Sequence, residues 1–425
     1  MRLTPLQSVA EMFARVRGKC CFNRGYAVAF AILFNTFSSY FIGQVIVSKI
    51  AGAFVGSSFE VLLNLVYPSS IVASALVGSV LFVDVRRRRF LCLWLVLGIS
   101  SSLLLAVSYN SSLSLILVST GLLGASLGLG MPMCLGLFVK SVLIEDRGKM
   151  GGIILFATTF SAPLVITVVP RADLMTSAVL LAMWRAWSLP LVILVSAKDS
   201  AFERSTKRTP SLFSILQNRT FYLYFFAWLM FAFINGFEAV VVEHNISTDA
   251  HWLLMVVEPT ISGFSALIGG IVSDWVGRKP VLVFGFVSFG IAYSILALGA
   301  LDVNLLWLLW PVFFLIDGLG LGLLWVMFTL VLWGEIDSHN PEKCYAVGES
   351  PLFLTQIVSL LLAPYVQMIP MVSAFSLAAF FLFVAVIPLL YARETLPQNK
   401  VEERQLRIYT EEALELRQKT EHKQT

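Results

Sequence analysis

Apolar residues fill twelve long runs of the chain, and short polar or charged segments separate these runs. An α-helix of about 20 residues crosses the ~30 Å hydrocarbon core of a bilayer, and every run reaches about that length. The runs lack the alternation of polar and apolar residues that is typical of membrane barrel strands. The pattern therefore predicts an all-α integral membrane protein with twelve transmembrane helices, called spans 1 to 12 below. Their predicted limits are 26–48, 60–83, 90–109, 113–139, 151–169, 174–197, 221–242, 253–273, 281–299, 305–333, 350–369 and 372–391.

Composition and charge agree with this prediction. Of the 425 residues, 58% are hydrophobic and 13% are charged, whereas about 25% are charged in soluble domains. If both termini are cytoplasmic, only Lys49 and Arg171 among the Lys and Arg residues outside the spans face the other side. This asymmetry follows the positive-inside rule. We expect a multi-pass protein of the plasma membrane with both termini in the cytoplasm. The excess of basic over acidic residues reflects this topology and does not indicate nucleic-acid binding.

The two halves of the chain repeat one plan. Residues 66–78 of span 2 and 257–269 of span 8 share proline, serine and glycine at matching positions, with a constant offset in numbering. Internal repeats of this kind are typical of transporters. The chain is therefore divided into a cytoplasmic N-terminus, two six-helix bundles joined by a cytoplasmic linker, and a cytoplasmic tail. The predicted limits of these regions are 1–24, 25–197, 198–220, 221–392 and 393–425.

A short charged turn joins spans 8 and 9 and reads G-I-V-S-D-W-V-G-R-K. It resembles the loop motif of the major facilitator superfamily, G-x-x-x-D-[RK]-x-G-[RK]-[RK], with Trp275 at a position that is usually basic. The matching residues are Gly270, Asp274, Gly277, Arg278 and Lys279. The resemblance extends to the twelve spans and the six-plus-six repeat. It implies two pseudo-symmetric six-helix bundles, which is the fold of that superfamily.

In that superfamily, the aspartate and the basic residues of this motif form a charge network that closes the cytoplasmic side. The resemblance implies this gating role for Asp274, Arg278 and Lys279. A simpler interpretation is a turn in which Gly277 adopts a positive φ, together with a topology signal.

The first half carries a degraded copy of the motif. Between spans 2 and 3, Asp84 and Arg88 keep the acid and the base, but arginine occupies the position of the turn glycine. Arg147 in the loop between spans 4 and 5 resembles an R-G element of the superfamily and is a candidate partner for Asp84.

Acidic residues inside apolar spans are costly and indicate function. Asp317 lies near the middle of span 10 and is the first candidate for protonation or substrate contact. Glu238 follows Asn235 by three residues in span 7, so both share one helical face. Glu258 in span 8 is either a proton acceptor or an interfacial acid that faces water. Asp317 is alternatively a packing acid beside a glycine-rich contact.

Three further residues are candidates for the substrate site in the first half. Asn35 in span 1 occupies a position similar to that of Asn235, and both either line the cavity or hydrogen-bond between helices. Tyr67 in span 2 is a candidate cavity residue. Arg185 either lies inside span 6, where it can bind an anion or pair with an acid such as Asp317, or anchors the outer start of that span. A W-R-W-like element of the superfamily favours the outer position.

These features favour a secondary active transporter that moves a small organic solute by alternating access, with protons as the coupling ion. The sequence has no phosphate-binding loop of ATP-driven pumps, and its four histidines lie outside the spans. We expect no enzymatic activity, cofactor or metal, and a monomer whose partners are the solute, protons and the bilayer. The alternatives are an uncoupled facilitator and a transport-inactive receptor or sensor on the same fold.

Overall fold

A computed structural model describes residues 24–81, 87–108, 112–195, 212–247, 250–337, 340–366 and 368–397. The described residues form helices joined by short connections, and they contain no strand. Asp84 lies outside these residues, as do most of the N-terminus, linker and tail. The helical architecture confirms the predicted fold class.

The first half contains spans 1 to 6. Spans 1 to 5 are helices, and span 6 consists of two helical segments separated at Trp187. The observed bounds, in order, are Arg24–Gly52, Ser58–Leu81, Arg87–Ser108, Leu113–Ser141, Arg147–Val168, and Leu174–Ala186 followed by Ser188–Val195.

The second half contains spans 7 to 12, and a short helix, Leu212–Leu216, precedes it. Spans 8 and 10 include π-helical turns, while spans 11 and 12 each have one break. The observed bounds are Arg219–Asn245 for span 7, Leu253–Val257 and Glu258–Val276 for span 8, Arg278–Gly299 for span 9, Val303–Trp325, Val326–Val331 and Leu332–Ile336 for span 10, Pro341–Gly348 and Ser350–Val366 for span 11, and Met371–Val384 and Val386–Tyr391 for span 12.

Within the described residues, 11 helices are long and apolar enough to cross a membrane. The broken span 6 accounts for the twelfth predicted crossing. Span 11 begins at Pro341, earlier than the predicted residue 350. The apolar pattern missed this first segment because it contains Glu342 and Lys343, which are nevertheless buried. Glu342 is buried because it pairs across the two halves with Lys140 of span 4, at 3.0 Å.

The two halves approach each other most closely along spans 5 and 8, and spans 2 and 11 form a second contact. Small residues allow spans 5 and 8 to approach each other closely. A Cβ atom added at Gly270 would lie 2.1 Å from the carbonyl oxygen of Gly148, and one at Gly152 would lie 2.6 Å from that of Ala266. Membrane helices associate by such close packing of small residues, because lipid tails remove the hydrophobic drive between helices.

Aromatic rings fill the interior of the second half. Trp228 stacks on Phe328 with ring centroids 4.6 Å apart and on Phe231 at 5.2 Å. Phe231 meets Phe289 edge to face at 5.2 Å. These rings connect spans 7, 9 and 10, and they fix the positions of the polar residues that the same spans carry.

We expect Gly270→Ala to destabilise the protein by about 1–3 kcal/mol, because the new methyl group would meet backbone that can only move by separating the halves. Gly52→Ala is the matched control, since no atom lies within 4 Å of a Cβ added there. The measurement is the thermal unfolding midpoint in detergent. Equal midpoints for the two variants would show that spans 5 and 8 do not pack as described.

Candidate functional site

The turn between spans 8 and 9 lies at the end of the bundle where span 1 begins and span 12 ends, which is called the basic end below. Span 8 ends at Val276, and span 9 begins at Arg278. Gly277 links them with φ 109°, which other residues rarely adopt. The positive φ expected at this glycine is therefore confirmed.

A buried charge network surrounds Arg278. Its guanidinium pairs with the carboxylate of Asp274 one turn earlier, and with Glu335 at the end of span 10, at 2.9 Å. The Arg278 and Glu335 side chains are fully buried. Two carboxylates thus flank one guanidinium, so that no charge in this network lacks an opposite charge.

Asp274 also connects the two halves. Its two carboxylate oxygens accept hydrogen bonds from the backbone N–H groups of Gly148 and Lys149, at 3.0 and 2.7 Å. These groups belong to the first turn of span 5, where unpaired N–H groups and the helix dipole favour an anion. Arg278 adds a second link by donating to the carbonyl oxygen of Ile144, at 2.8 Å. The second half therefore caps a helix of the first half, and these contacts join the two halves at the basic end.

Lys279 has a different role from the one that the motif implied. Its amino group donates to the carbonyl oxygens of Leu390 and Ala392, at 2.7 and 3.1 Å, and not to Asp274. Glu394 accepts from the backbone N–H groups of Arg278 and Lys279, at 2.9 and 3.0 Å. These contacts fasten the end of span 12 to the start of span 9 within one half.

Of the first-half motif residues Asp84, Arg88 and Arg147, the structure describes the side chain of Arg147. Arg147 is buried and donates to the carbonyl oxygens of Val139 and Val142, at 2.7 and 3.3 Å. Arg88 belongs to the first turn of span 3, and its proposed counterpart Asp84 lies outside the described residues. Arg147 thus fixes the loop that presents the start of span 5 to Asp274.

Three acidic side chains come together in the second half. Glu238, Glu258 and Asp317 lie on spans 7, 8 and 10, within range of mutual electrostatic interaction. Glu238 and Asp317 are buried, and Glu258 is half-buried. Tyr293 on span 9 is fully buried beside all three acids. In the described part of the chain, no lysine or arginine forms an ion pair with this acid cluster.

Close backbone packing holds the acid cluster together. A Cβ atom at Gly318, next to Asp317, would lie 2.9 Å from the carbonyl oxygen of Glu258. The hydroxyl of Ser265 donates to the carbonyl oxygen of Leu319, at 2.5 Å. One carboxylate oxygen of Asp317 is buried without a hydrogen-bond partner. The arrangement offers carboxyl oxygens that can accept a proton or a donor from a solute.

A polar contact links the two halves near spans 1 and 11. Gln356 donates to the hydroxyl of Tyr40, at 2.6 Å, and the ring of Tyr40 stacks on that of Tyr67 at 6.5 Å. Tyr67 is almost fully buried behind it. Asn235 is half-buried on the same helix as Glu238, and its side chain makes no hydrogen bond to the residues that the structure describes.

Asn35 and Arg185 lie inside the first half. Asn35 donates to the carbonyl oxygen of Trp184 at 2.6 Å, which is a contact between helices. Span 6 begins at Leu174 because Asp173 caps it by accepting from the backbone N–H of Thr176, at 3.1 Å. Hydrogen bonds from Thr176 also hold the pKa of Asp173 below its ordinary value. This start buries Arg185, so the outer anchor that the W-R-W-like element favoured is wrong.

Sequence reasoning missed two members of these sites. Glu335 was overlooked because it lies just beyond the predicted limit of span 10. An acidic residue at this helix end could have been recognised as a partner for the basic residues of the turn between spans 8 and 9. Tyr293 carries no such signal, because a tyrosine in an apolar span is usually a packing residue. The pairing of Arg185 with Asp317, which was one alternative for this arginine, does not occur, since Arg185 contacts spans 3 and 4 of the first half.

No protein-family model and no curated protein sequence matches the chain. Solved structures, in contrast, do match it. The human organic anion transporter MFSD10 (TETRAN) superposes with a TM-score of 0.65 at 11% identity, over 86% of this chain and 99% of that one. The proton:xylose symporter XylE, bound to 6-bromo-6-deoxy-D-glucose, superposes with a TM-score of 0.67 at 14% identity, over 88% of this chain and 96% of that one.

The chain has the major facilitator fold. The structural likeness covers both halves, and it confirms the fold that the resemblance implied. Within this fold, the buried network of Asp274, Arg278 and Glu335 lies at the basic end, and the acid cluster lies between spans 7 to 10.

We expect Asp274→Asn to open the basic end, because a neutral amide interacts with the N–H groups and the dipole at the start of span 5 more weakly than the carboxylate does, by about 1–2 kcal/mol. Cys344 is the reporter, since it is buried on the segment of span 11 that packs against spans 2 and 4. In a background that keeps only this cysteine, maleimide should label the variant roughly ten times faster or more than the parent.

Asp302→Asn is the matched control for this labelling. Asp302 is exposed at the opposite end and caps span 10 through the backbone N–H of Asn304, a role that asparagine can also fill. Equal labelling rates for the two variants, in protein that elutes as a single folded species, would contradict the closing role of Asp274.

Proposed function

We propose that this protein is a membrane transporter that moves a small organic solute by alternating access and couples this movement to protons. The observation that carries the proposal is the acid cluster of Glu238, Glu258 and Asp317. Two of these carboxyls are buried and that of Glu258 is half-buried. Without a basic partner the three cannot all be ionised together, because an uncompensated charge in a low-dielectric interior is costly. The cluster therefore holds protons and exchanges them only when water or a solute reaches it.

The basic-end network provides the second part of the mechanism. Asp274 bridges the two halves, while Arg278 pairs with both Asp274 and Glu335. Rocking the halves apart would break the hydrogen bonds to Gly148 and Lys149. Two discrete arrangements of the halves, one closed at the basic end and one open there, would give a solute access to each side of the membrane in turn.

Proton movement and the rocking of the halves can influence each other through spans 8 and 10. Span 8 carries Glu258 and Asp274, and span 10 carries Asp317 and Glu335. A change in charge at the acid cluster alters the packing of these two spans, which also hold the basic-end network. Protonation at one site would then bias opening at the other.

The structural neighbours support the general function. One is named an organic anion transporter and the other a proton:xylose symporter. We infer from them a small organic cargo for this chain. We further propose a plasma-membrane protein that works as a monomer. The asymmetry of Lys and Arg supports cytoplasmic termini for it. The basic end would then face the cytoplasm.

We expect Asp317→Asn to abolish solute-driven proton movement while solute binding remains, because the asparagine cannot carry the proton. The measurement uses proteoliposomes loaded with a pH-sensitive dye. Pools of sugars, amino acids, organic acids and amphipathic amines are added in turn, and the unaltered protein identifies the active pool. Glu238→Gln should slow the same proton movement.

Asp302→Asn serves as the matched control, since it makes the same chemical change at an exposed position away from the cluster. Solute equilibration without proton movement in the unaltered protein would favour an uncoupled facilitator. No movement of any pool by folded protein would favour a receptor. Undiminished proton movement in Asp317→Asn would exclude Asp317 as the coupling residue.

A further inference from the structure

Arg185 is buried among neutral groups in the first half. Its side chain leaves the middle of span 6, and the residue is 3% exposed. One guanidinium nitrogen donates to the carbonyl oxygen of Gly98 at 2.9 Å and to the hydroxyls of Ser126 at 2.8 Å and Ser101 at 3.4 Å. Gly98 permits this approach, because a Cβ atom there would lie 2.9 Å from that nitrogen. The arginine is therefore held in one defined position.

Nothing in the described part of the chain neutralises this charge. No carboxylate pairs with Arg185, and Tyr67 is the one ionisable side chain that influences it electrostatically there. Its second terminal nitrogen, Nη2, is buried without a hydrogen-bond partner. An unpaired buried charge costs several kcal/mol in proteins, so buried cations normally have an anionic partner. Arg278, in contrast, has two carboxylate partners.

A small internal cavity adjoins the guanidinium. Spans 1, 3, 4 and 6 enclose it, and its polar lining includes Asn35, Thr36, Ser39, Ser126 and Arg185. The hydroxyl of Ser39 is buried without a hydrogen-bond acceptor, like Nη2 of Arg185. The space holds about one water-sized particle. Two buried donors without partners thus line a cavity of monatomic size.

We propose that this cavity binds a single small anion of the size of chloride against Arg185. A water molecule can occupy the same volume, but it leaves the positive charge uncompensated. A carboxylate of an organic solute has three heavy atoms in its head group and exceeds the space. The site lies inside the first half, whereas the acid cluster lies in the second half, so anion binding is independent of the proposed proton coupling.

A bound anion would affect how the helices of the first half hold together. Span 1 supplies Asn35 and Ser39 to the cavity, and Tyr40, the next residue, contacts Gln356 of the second half. A bound anion would join spans 1, 3, 4 and 6 into one unit. It would thereby stabilise the half against which the other half rocks.

The test is the thermal unfolding midpoint of the purified protein in detergent, measured at constant ionic strength as chloride replaces gluconate, an anion too large for the cavity. We expect a saturable rise of the midpoint with chloride. Arg185→Gln should lose this dependence. Arg171→Gln, which removes an exposed arginine from the loop before span 6, should retain it.

A second variant keeps the proposal testable if Arg185→Gln does not fold. Ser39→Ala removes one unpartnered donor and should raise the half-saturating chloride concentration roughly tenfold, because a hydrogen bond to an ion contributes about that factor. An unchanged half-saturating concentration in Ser39→Ala would overturn the proposal, as would equal midpoints in chloride and gluconate. An acetate effect larger than that of chloride would assign the site to a carboxylate and overturn the monatomic anion.

Discussion

Charge that is buried in a membrane bundle must find its counter-charge inside the bundle, because lipid offers none. This constraint governs the basic end. Arg278 is buried between Asp274 and Glu335, and Asp274 reaches the first turn of span 5 in the other half. Breaking the contact between the halves removes two hydrogen bonds from Asp274, while Arg278 still neutralises it. The network therefore holds the halves together without making their separation prohibitive.

The same constraint applies to the other buried ionisable groups, which differ in how they can be neutralised. The acids at Glu238, Glu258 and Asp317 have no basic partner among the described residues, and protons can neutralise them. Arg185 has no acidic partner among the described residues, and an arginine does not lose its proton at physiological pH. We propose that a small anion from outside the chain neutralises it. On these proposals, one interior holds an ion-pair network, an acid cluster that exchanges protons and a site for a small anion.

Much of the fold was predictable because apolar runs of membrane length have few alternative structures. The motif turn was also predictable, since Gly277 and the Asp274 and Arg278 pair depend on local spacing. Contacts that depend on how distant spans pack were not predictable from the sequence. These are the contacts of Lys279, the pairing of Glu335 and the position of Tyr293. Arg185 illustrates the same limit, since one capping residue, Asp173, decides whether the span begins early enough to bury it. Segment Pro341–Gly348 was missed because Glu342 and Lys343 interrupt the apolar pattern, although Glu342 is neutralised by Lys140 of the other half.

The most direct test of alternating access is a pair of distances measured by electron spin resonance. One pair of spin labels at Leu143 and Tyr391 spans the two halves at the basic end, and a second pair at Val55 and Leu301 spans them at the opposite end, all at exposed positions. The account predicts that Asp274→Asn lengthens the first distance and shortens the second. Unchanged distances, or lengthening at both ends, would contradict a rocking motion controlled by the basic-end network.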